Sequence, residues 1–377
     1  MSAFDPRHPL PGRVIARWAV VPTLQGDELL SSWLIRAALA QGCDPLVLTG
    51  HLWPRWRIWT LDIDRGLPAD RLIRLAMASG IDAARLNAAS LCVLGERLQA
   101  NSVSSAIWPW LLALGSRNRR RYGGLQFCPR CFANDATPYF RRGWRMAWHT
   151  ACERHGEGLR DRCPACQAVP EPHRLVADDG RIDRCATCRA DLKDAPPISA
   201  DGGALAFQRG ADRVIQQGEG HFGEMALDAS DWFSLAHFLL ALIRRVATMQ
   251  PEGLREFLSQ FDTPPVDIPF PVNAQLALEL LPVATRAALF RPLPDLLEAG
   301  PTRLLAAAQE AHLTAASFAN LRQRIPTALH SVLSALPTGY RGQRRPPQKP
   351  DITPRSPAAV LRHCARMHRR FARSWST

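Results

Sequence analysis

Seven of the ten cysteines in this 377-residue chain fall between residues 128 and 188, and each belongs to a two-ligand knuckle. Cys128-x2-Cys131 is followed after 20 residues by Cys152-x2-His155. Cys163-x2-Cys166 is followed after 18 residues by Cys185-x2-Cys188. Such a knuckle sets two donors on one tight turn, close enough to take two corners of a tetrahedron around Zn2+, and a second knuckle closes it. Eight donors therefore make two structural zinc ions per chain, with no open coordination position. A catalytic zinc keeps one corner for water, so the pattern argues against hydrolysis. Disulfides are the rival reading, disfavoured by the cytoplasmic setting argued below and by the Cys-Pro-x-Cys form of the knuckles at Cys128 and Cys163. The seven residues between His155 and Cys163 exceed what a compact cross-brace usually holds, so sequential zinc ribbons are expected over a cross-brace. His149 and His173 read as surface or core residues rather than ligands. Cys43, Cys92 and Cys364 stand alone and read as buried small hydrophobes.

Outside this segment the chain reads as helix, because Leu, Ala and Arg dominate, Tyr is scarce and β-branched runs are short. Leu29, Leu30, Trp33, Leu34, Ala37 and Ala38 recur at helical spacing until Gly42. Pro68 and Asp70 open a helix with Leu72, Leu75 and Ala76 on one face. Ser79-Gly80-Ile81 breaks it, and Asp82 caps a short helix holding Leu86. The order Ala76, Gly80, Leu86 is that of a helix-turn-helix: the small residue lets two helices cross closely and the glycine permits a positive φ. An αα-hairpin that never meets DNA accounts for the pattern equally well, since the second helix carries few basic residues. Farther on, Trp232, Leu235, Ala236, Leu239, Leu240 and Ile243 form one apolar face, and Pro264, Pro265, Pro269 and Pro271 mark a connector. From Pro301 to Leu336 a second helix-turn-helix-like array places Ala308, His312 and Phe318 at the same spacing, with His312 where glycine is favoured. The expected fold is mainly α. Helical helix-turn-helix-like domains at 1–116 and 198–337 flank a tandem zinc-ribbon module with short β-hairpins at 117–197, and 338–377 form a basic Pro/Arg-rich linker and tail helix.

The formal net charge of +13 is almost wholly arginine, since only Lys193 and Lys349 are lysines. Neither follows a glycine, which excludes a Walker A loop, and no HExxH or GxSxG occurs. The helical texture offers no sheet to place the three carboxylates of a DDE nuclease, so no catalytic residue is expected. The opening MSAFDPRHPLPGR has no apolar h-region and no run of 18 apolar residues occurs; a cytoplasmic protein without a membrane span is expected. Residues 117–162 hold eleven arginines against four carboxylates, and 338–377 hold ten basic residues against one acidic. These two stretches point to nucleic acid or an acidic partner. The expected contacts are Arg119, Arg120 and Arg121 ahead of the first knuckle, Arg141 and Arg142 beside it, and Arg362, Arg366, Arg369, Arg370 and Arg373 along one side of the tail helix. Phe140 and Trp144, interleaved with Arg141, Arg142 and Arg145, read as the mini-core of the ribbon rather than as base-stacking groups.

Several of these motifs together resemble one family. Pro22 with Glu28-Leu29-Leu30-Ser31-Ser32-Trp33-Leu34-x-Arg36 is similar to the opening motif of TniQ-type transposition proteins. Phe127-Cys128-Pro129-x-Cys131, Pro138-Tyr139-Phe140-Arg141, Trp144-Arg145, Cys152-x2-His155-Gly156 and Leu159-x3-Cys163-Pro164-x-Cys166 are similar to its central signature. The resemblance covers roughly residues 20–190. It implies a non-catalytic target-selection factor of a bacterial transposon, linking a DNA target to an AAA+ regulator and a DDE transposase. Some members recognise a DNA site directly, whereas others dock as a homodimer on a CRISPR effector complex (Cascade), whose guide RNA chooses the target. The alternative is a zinc-containing helix-turn-helix transcription regulator, which has no need of the Tyr-Phe-Arg…Trp-Arg block.

Overall fold

Helix α1 (Leu30–Ala40) is apolar on nearly every side, and all but its last residue are buried, as a helix at the centre of a layer must be. The computed structural model describes residues 16–98, 107–114, 124–261, 276–319, 324–339 and 361. The chain divides into two compact units, Met1–Pro337 and Thr338–Thr377. The tail arginines Arg362, Arg366, Arg369, Arg370 and Arg373, the arginines Arg119–Arg121, Cys364 and the proline connector at 264–271 lie outside the described residues.

Against α1 packs α2 (Pro45–Leu52), and α3 (Ala69–Ser79), α4 (Ala83–Ala88) and α5 (Cys92–Arg97) follow, α2 touching α3, α3 touching α4 and α4 touching α5. Their core is Leu30, Trp33, Leu34, Leu48, Leu52, Trp53, Ile58, Leu75 and Leu86. The α3–α4 turn follows the chemistry read from its residues. Gly80 has φ +71, and the Asp82 carboxylate accepts from the backbone N–H groups of Ala84 and Arg85, satisfying two donors at the start of α4.

A short helix α6 (Pro129–Asn134) and a two-residue hairpin, β1 (Ala151–Cys152) antiparallel to β2 (Glu157–Gly158), belong to the cysteine-rich segment. Then come α7 (Gly202–Gln217), a second hairpin of β3 (Glu219–Phe222) and β4 (Met225–Asp228), α8 (Ala229–Met249), α9 (Glu252–Ser259), α10 (Val283–Phe290), α11 (Leu293–Glu310), α12 (Ala315–Ala319) and α13 (His330–Ala335). Helix α8 is central here: Trp232, Leu235, Ala236, Leu239, Leu240 and Ile243 are buried, as the periodicity required. By length and composition it is also apolar enough to cross a membrane. In the fold its apolar face packs against α7, α10 and α11. The hairpin β3–β4 is the element the sequence reading lacked. His312 takes φ +51 between α11 and α12, so the left-handed position foreseen for glycine exists and is filled by histidine.

At the tip of β3–β4 the backbone passes against a break in α11, where Gly300 (φ +67) precedes Pro301. A Cβ on Gly223 (φ +56) would lie 2.7 Å from the Gly300 Cα, with backbone on both sides and no side chain to yield. Gly223→Ala is therefore expected to destabilise the protein by about 2–4 kcal/mol, from left-handed strain plus overlap. Denaturant unfolding checks this, with Gly218→Ala (φ +82, no atom within 4 Å of a Cβ) as the control that suffers strain alone.

Candidate metal centres

The eight knuckle residues form two groups, Cys128/Cys131/Cys152/His155 and Cys163/Cys166/Cys185/Cys188, so the pairing is sequential. Within each group every donor atom lies within 4.8 Å of the others. The Cys131 and Cys152 sulfurs are 3.6 Å apart, and His155 Nδ1 stands 3.4–3.5 Å from the sulfurs of Cys128, Cys131 and Cys152. In the second group the pairs Cys163–Cys188 and Cys166–Cys185 are each 3.6 Å apart. A tetrahedron with zinc-like bond lengths has edges of about 3.8 Å between sulfurs and about 3.6 Å between sulfur and nitrogen. Bonded sulfurs would be about 2.05 Å apart, so none of these pairs is a disulfide. Both clusters thus suit a tetrahedral metal ion and are compatible with zinc.

Local backbone chemistry makes each knuckle. Cys128 caps α6, with Pro129 at the first helical position, and its sulfur accepts the Cys131 N–H. In the other three, the residue just after the second ligand turns left-handed: Gly156 (φ +64), Gln167 (φ +60) and Arg189 (φ +65). Each then donates its N–H to the carbonyl of the knuckle's first ligand, at 2.9, 3.0 and 2.8 Å. With Nδ1 aimed at the sulfurs, His155 Nε2 lies 3.2 Å from the Asn134 side-chain amide, which fixes the ring plane. Crowded donors also bias one another's protons. Hydrogen bonds from Cys128 and Cys131 lower the Cys152 thiol below its ordinary range.

The two clusters differ in setting. Cys128, Cys131 and Cys152 are buried among Phe127, Phe132, Phe140 and Trp144, whose rings meet at 5.2–6.4 Å. In the second, Cys166 and Cys188 are exposed. The spare histidines stay out of both: His149 bonds Asp212 at 2.9 Å, and His173 stacks on Trp59. Cys43 and Cys92 are only half-buried.

What holds the first cluster to α1 is a set of buried polar links. Segment 139–142 runs against Asp27–Leu29, with Leu29 N donating to Phe140 O and Arg142 N to Asp27 O. The Ser32 hydroxyl accepts from Phe140 N and donates to Glu28, which also pairs with Arg36 at 2.6 Å. Burial outweighs Arg36 and pushes the Glu28 carboxyl above its usual range. Tyr139 and Arg141 both bond Asp27 and, against the opposing effect of burial, hold it below the usual carboxylate range. Arg145, 1 % exposed, pairs with Asp62 at 2.6 Å and Asp64 at 2.9 Å, while Asp64 receives the N–H and hydroxyl of Ser31. The residues from Glu28 to Arg36 and from Tyr139 to Arg145 are thus one joint between helix and metal module. Residues 19–159 match the TniQ family model. The chain carries a TniQ domain. No curated protein matches the chain in sequence comparison. The TniQ match takes in α1 and the whole first cluster, and stops before Cys163.

Among the arginines expected to touch nucleic acid, Arg141 faces inward within the TniQ domain. It is 6 % exposed and spends its guanidinium on Asp27 and Asp135. Arg142 reaches the carbonyls of Gly26 and Ala88. Phe140 and Trp144 are core, as read. The sequence reading missed the acidic half of the joint (Asp27, Asp62, Asp64). Its signal was the surplus of arginines in a segment with a buried aromatic core, which demands buried carboxylates to pair with them.

Proposed function

We propose that this protein is a non-catalytic target-selection adaptor in cytoplasmic DNA transposition, joining target DNA to an AAA+ regulator and through it to a DDE transposase. The observation that carries the reading is the TniQ match over residues 19–159, together with a joint built from that family's motif residues. Zn2+ is the proposed ion at both clusters, held by Cys128, Cys131, Cys152 and His155 and by Cys163, Cys166, Cys185 and Cys188. In each, four protein donors close the tetrahedron, so the ion stiffens the chain and leaves no corner for a substrate. Residues 117–197 then act as the metal module between helical domains at 1–116 and 198–337, with 338–377 as a basic tail. DNA is reached either by direct recognition or, as a homodimer, through a guide-RNA CRISPR effector complex. Phosphate contacts are assigned to Arg119–Arg121 and the tail arginines, because Arg141 and Arg142 are occupied within the fold.

A helix-turn-helix regulator is the weaker reading. Helix α4 has only six residues, and its one arginine, Arg85, is partly engaged by donating to the Leu24 carbonyl. The deciding experiment is a reconstituted transposition reaction with and without this chain, joined to a pull-down by the AAA+ regulator. Targeted insertion is expected to require the chain, and the regulator to retain it. Insertion at the same sites and rate without it overturns the adaptor role.

A further inference from the structure

Between α2 and α3 the chain makes a turn of alternating tryptophan and arginine, Trp53-Pro54-Arg55-Trp56-Arg57-Ile58-Trp59, that none of the roles above uses. It is firmly seated. Trp53 and Ile58 are buried in the core around α1, Trp56 N donates to Trp53 O, and Ile58 N donates to Trp56 O. Trp59 Nε1 donates to Thr49 Oγ1 at 2.9 Å, and Arg74 Nε donates to Leu52 O. On this base His51, Arg55 and Arg57 are exposed. No carboxylate occurs from residue 51 to 61, and Asp62 just beyond is taken by Arg145. Among the described residues Arg55 and Arg57 have no ion-pair partner, while Arg71 lies 5.2 Å over the Trp56 ring and meets only the exposed Asp70.

Two features argue that the exposed cations are there to be used. Arg55 sits at φ +65, a left-handed position that glycine occupies without steric cost and arginine does not. The same conformation at Arg189 serves a knuckle turn, but at Arg55 no metal ligand or helix end calls for it. Moreover the tryptophans are already engaged. Arg71 covers Trp56, and His173 stacks on Trp59 at 5.4 Å and 14°. One face of each ring is thus taken, which makes them poorer stacking platforms for unpaired bases and poorer aromatic anchors for a protein partner. What the turn does offer is a rigid pair of guanidinium forks, the donor set that suits phosphate oxygens.

We infer that the Trp53–Trp59 turn is a contact surface for the phosphate backbone of duplex DNA, with Arg55 and Arg57 as the phosphate ligands and the tryptophans as their rigid support. This rests on the reading of the chain as a transposition factor that touches DNA, and it adds a contact beside α1 to those assigned to Arg119–Arg121 and the tail arginines. The contact is independent of sequence, so it sets affinity and orientation and leaves the choice of site to other parts.

The test compares the full chain with Arg55→Gly/Arg57→Ala and Arg55→Lys/Arg57→Lys, binding two unrelated 30-base-pair duplexes, a single strand of equal length and polyglutamate over a salt series. Each phosphate contact contributes about 0.9 to the slope of log K against log salt. The Gly/Ala variant is expected to lose roughly two units of slope equally on both duplexes, and the Lys/Lys variant to keep most of it. Glycine at position 55 relieves the backbone, so this variant should melt no lower than the wild type, which separates lost contact from lost fold. An unchanged slope in the Gly/Ala variant overturns the inference and leaves the adaptor role intact. A loss confined to polyglutamate, or to the single strand, also overturns it in favour of a protein or single-strand surface. Wild-type protein without salt-dependent duplex binding removes both this surface and direct DNA contact, while the pull-down by the AAA+ regulator still judges the adaptor role separately.

Discussion

Cys131→Ala is expected to remove one metal ion per chain and the cooperative unfolding transition with it, whereas Cys188→Ala removes one ion and leaves the main transition in place. The asymmetry follows from burial. Cys131 is 1 % exposed, inside the ring cluster of Phe127, Phe132, Phe140 and Trp144, and that cluster also carries the joint to α1. Binding of a structural zinc is worth about 10–16 kcal/mol in small zinc-finger peptides, comparable to the whole stability of about 5–15 kcal/mol of a typical domain. Losing one thiolate there leaves three crowded donors and no ion to neutralise them in the middle of the core. Cys188 is exposed, on a knuckle reached by solvent. Its loss loosens residues around 163–192 while α1, α6 and the first cluster keep their packing. Metal content by mass spectrometry of the intact protein and calorimetric unfolding together read both variants. The wild type should carry two ions, and a brief chelator exposure should take the second-cluster ion first. Equal effects of the two substitutions would show that burial does not rank the clusters.

The two clusters were legible because ligand spacing is a covalent constraint: a knuckle of four residues looks alike in any surroundings. Helix α1 was legible for a similar reason, as its apolar positions repeat within eleven residues. The joint was visible only as a family motif, since nothing local says that Arg141 turns inward to Asp27, 114 residues away, while the exposed Arg55 does not. Inward or outward is decided by where a carboxylate stands in three dimensions. The β3–β4 hairpin was missed because its four-residue strands are too short to establish a two-residue period. Their turn depends on Gly223 lying against Gly300, a contact between distant parts of the chain.

The same long-range logic gives Arg145 its expected effect. Arg145→Met removes the cation between Asp62 and Asp64 and leaves Asp64, which is fully buried, with only its hydrogen bonds from Ser31. Breaking a buried pair by deleting one partner costs about 3–5 kcal/mol, because the remaining charge stays desolvated. Burial already raises the Asp64 carboxyl to about 6 with Arg145 beside it. Its folded pKa therefore lies above its unfolded value, and the native state binds the proton more tightly. Stability linked to this group is highest below the unfolded pKa and falls as pH rises toward 6. Without Arg145 the folded value rises further, so the falling limb extends upward through neutral pH. The deficit of Arg145→Met relative to wild type is accordingly expected to be largest at pH 7 and to shrink at pH 5, measured by denaturant unfolding at each pH. Asp64→Asn in the same background removes the orphaned charge while keeping an oxygen for the Ser31 N–H. It should recover much of the loss at pH 7 and change little at pH 5. A deficit that is the same at both pH values, or that Asp64→Asn deepens at pH 7, would mean that Arg145 matters for its packing and its bonds to the Leu112 carbonyl rather than for the charge it balances.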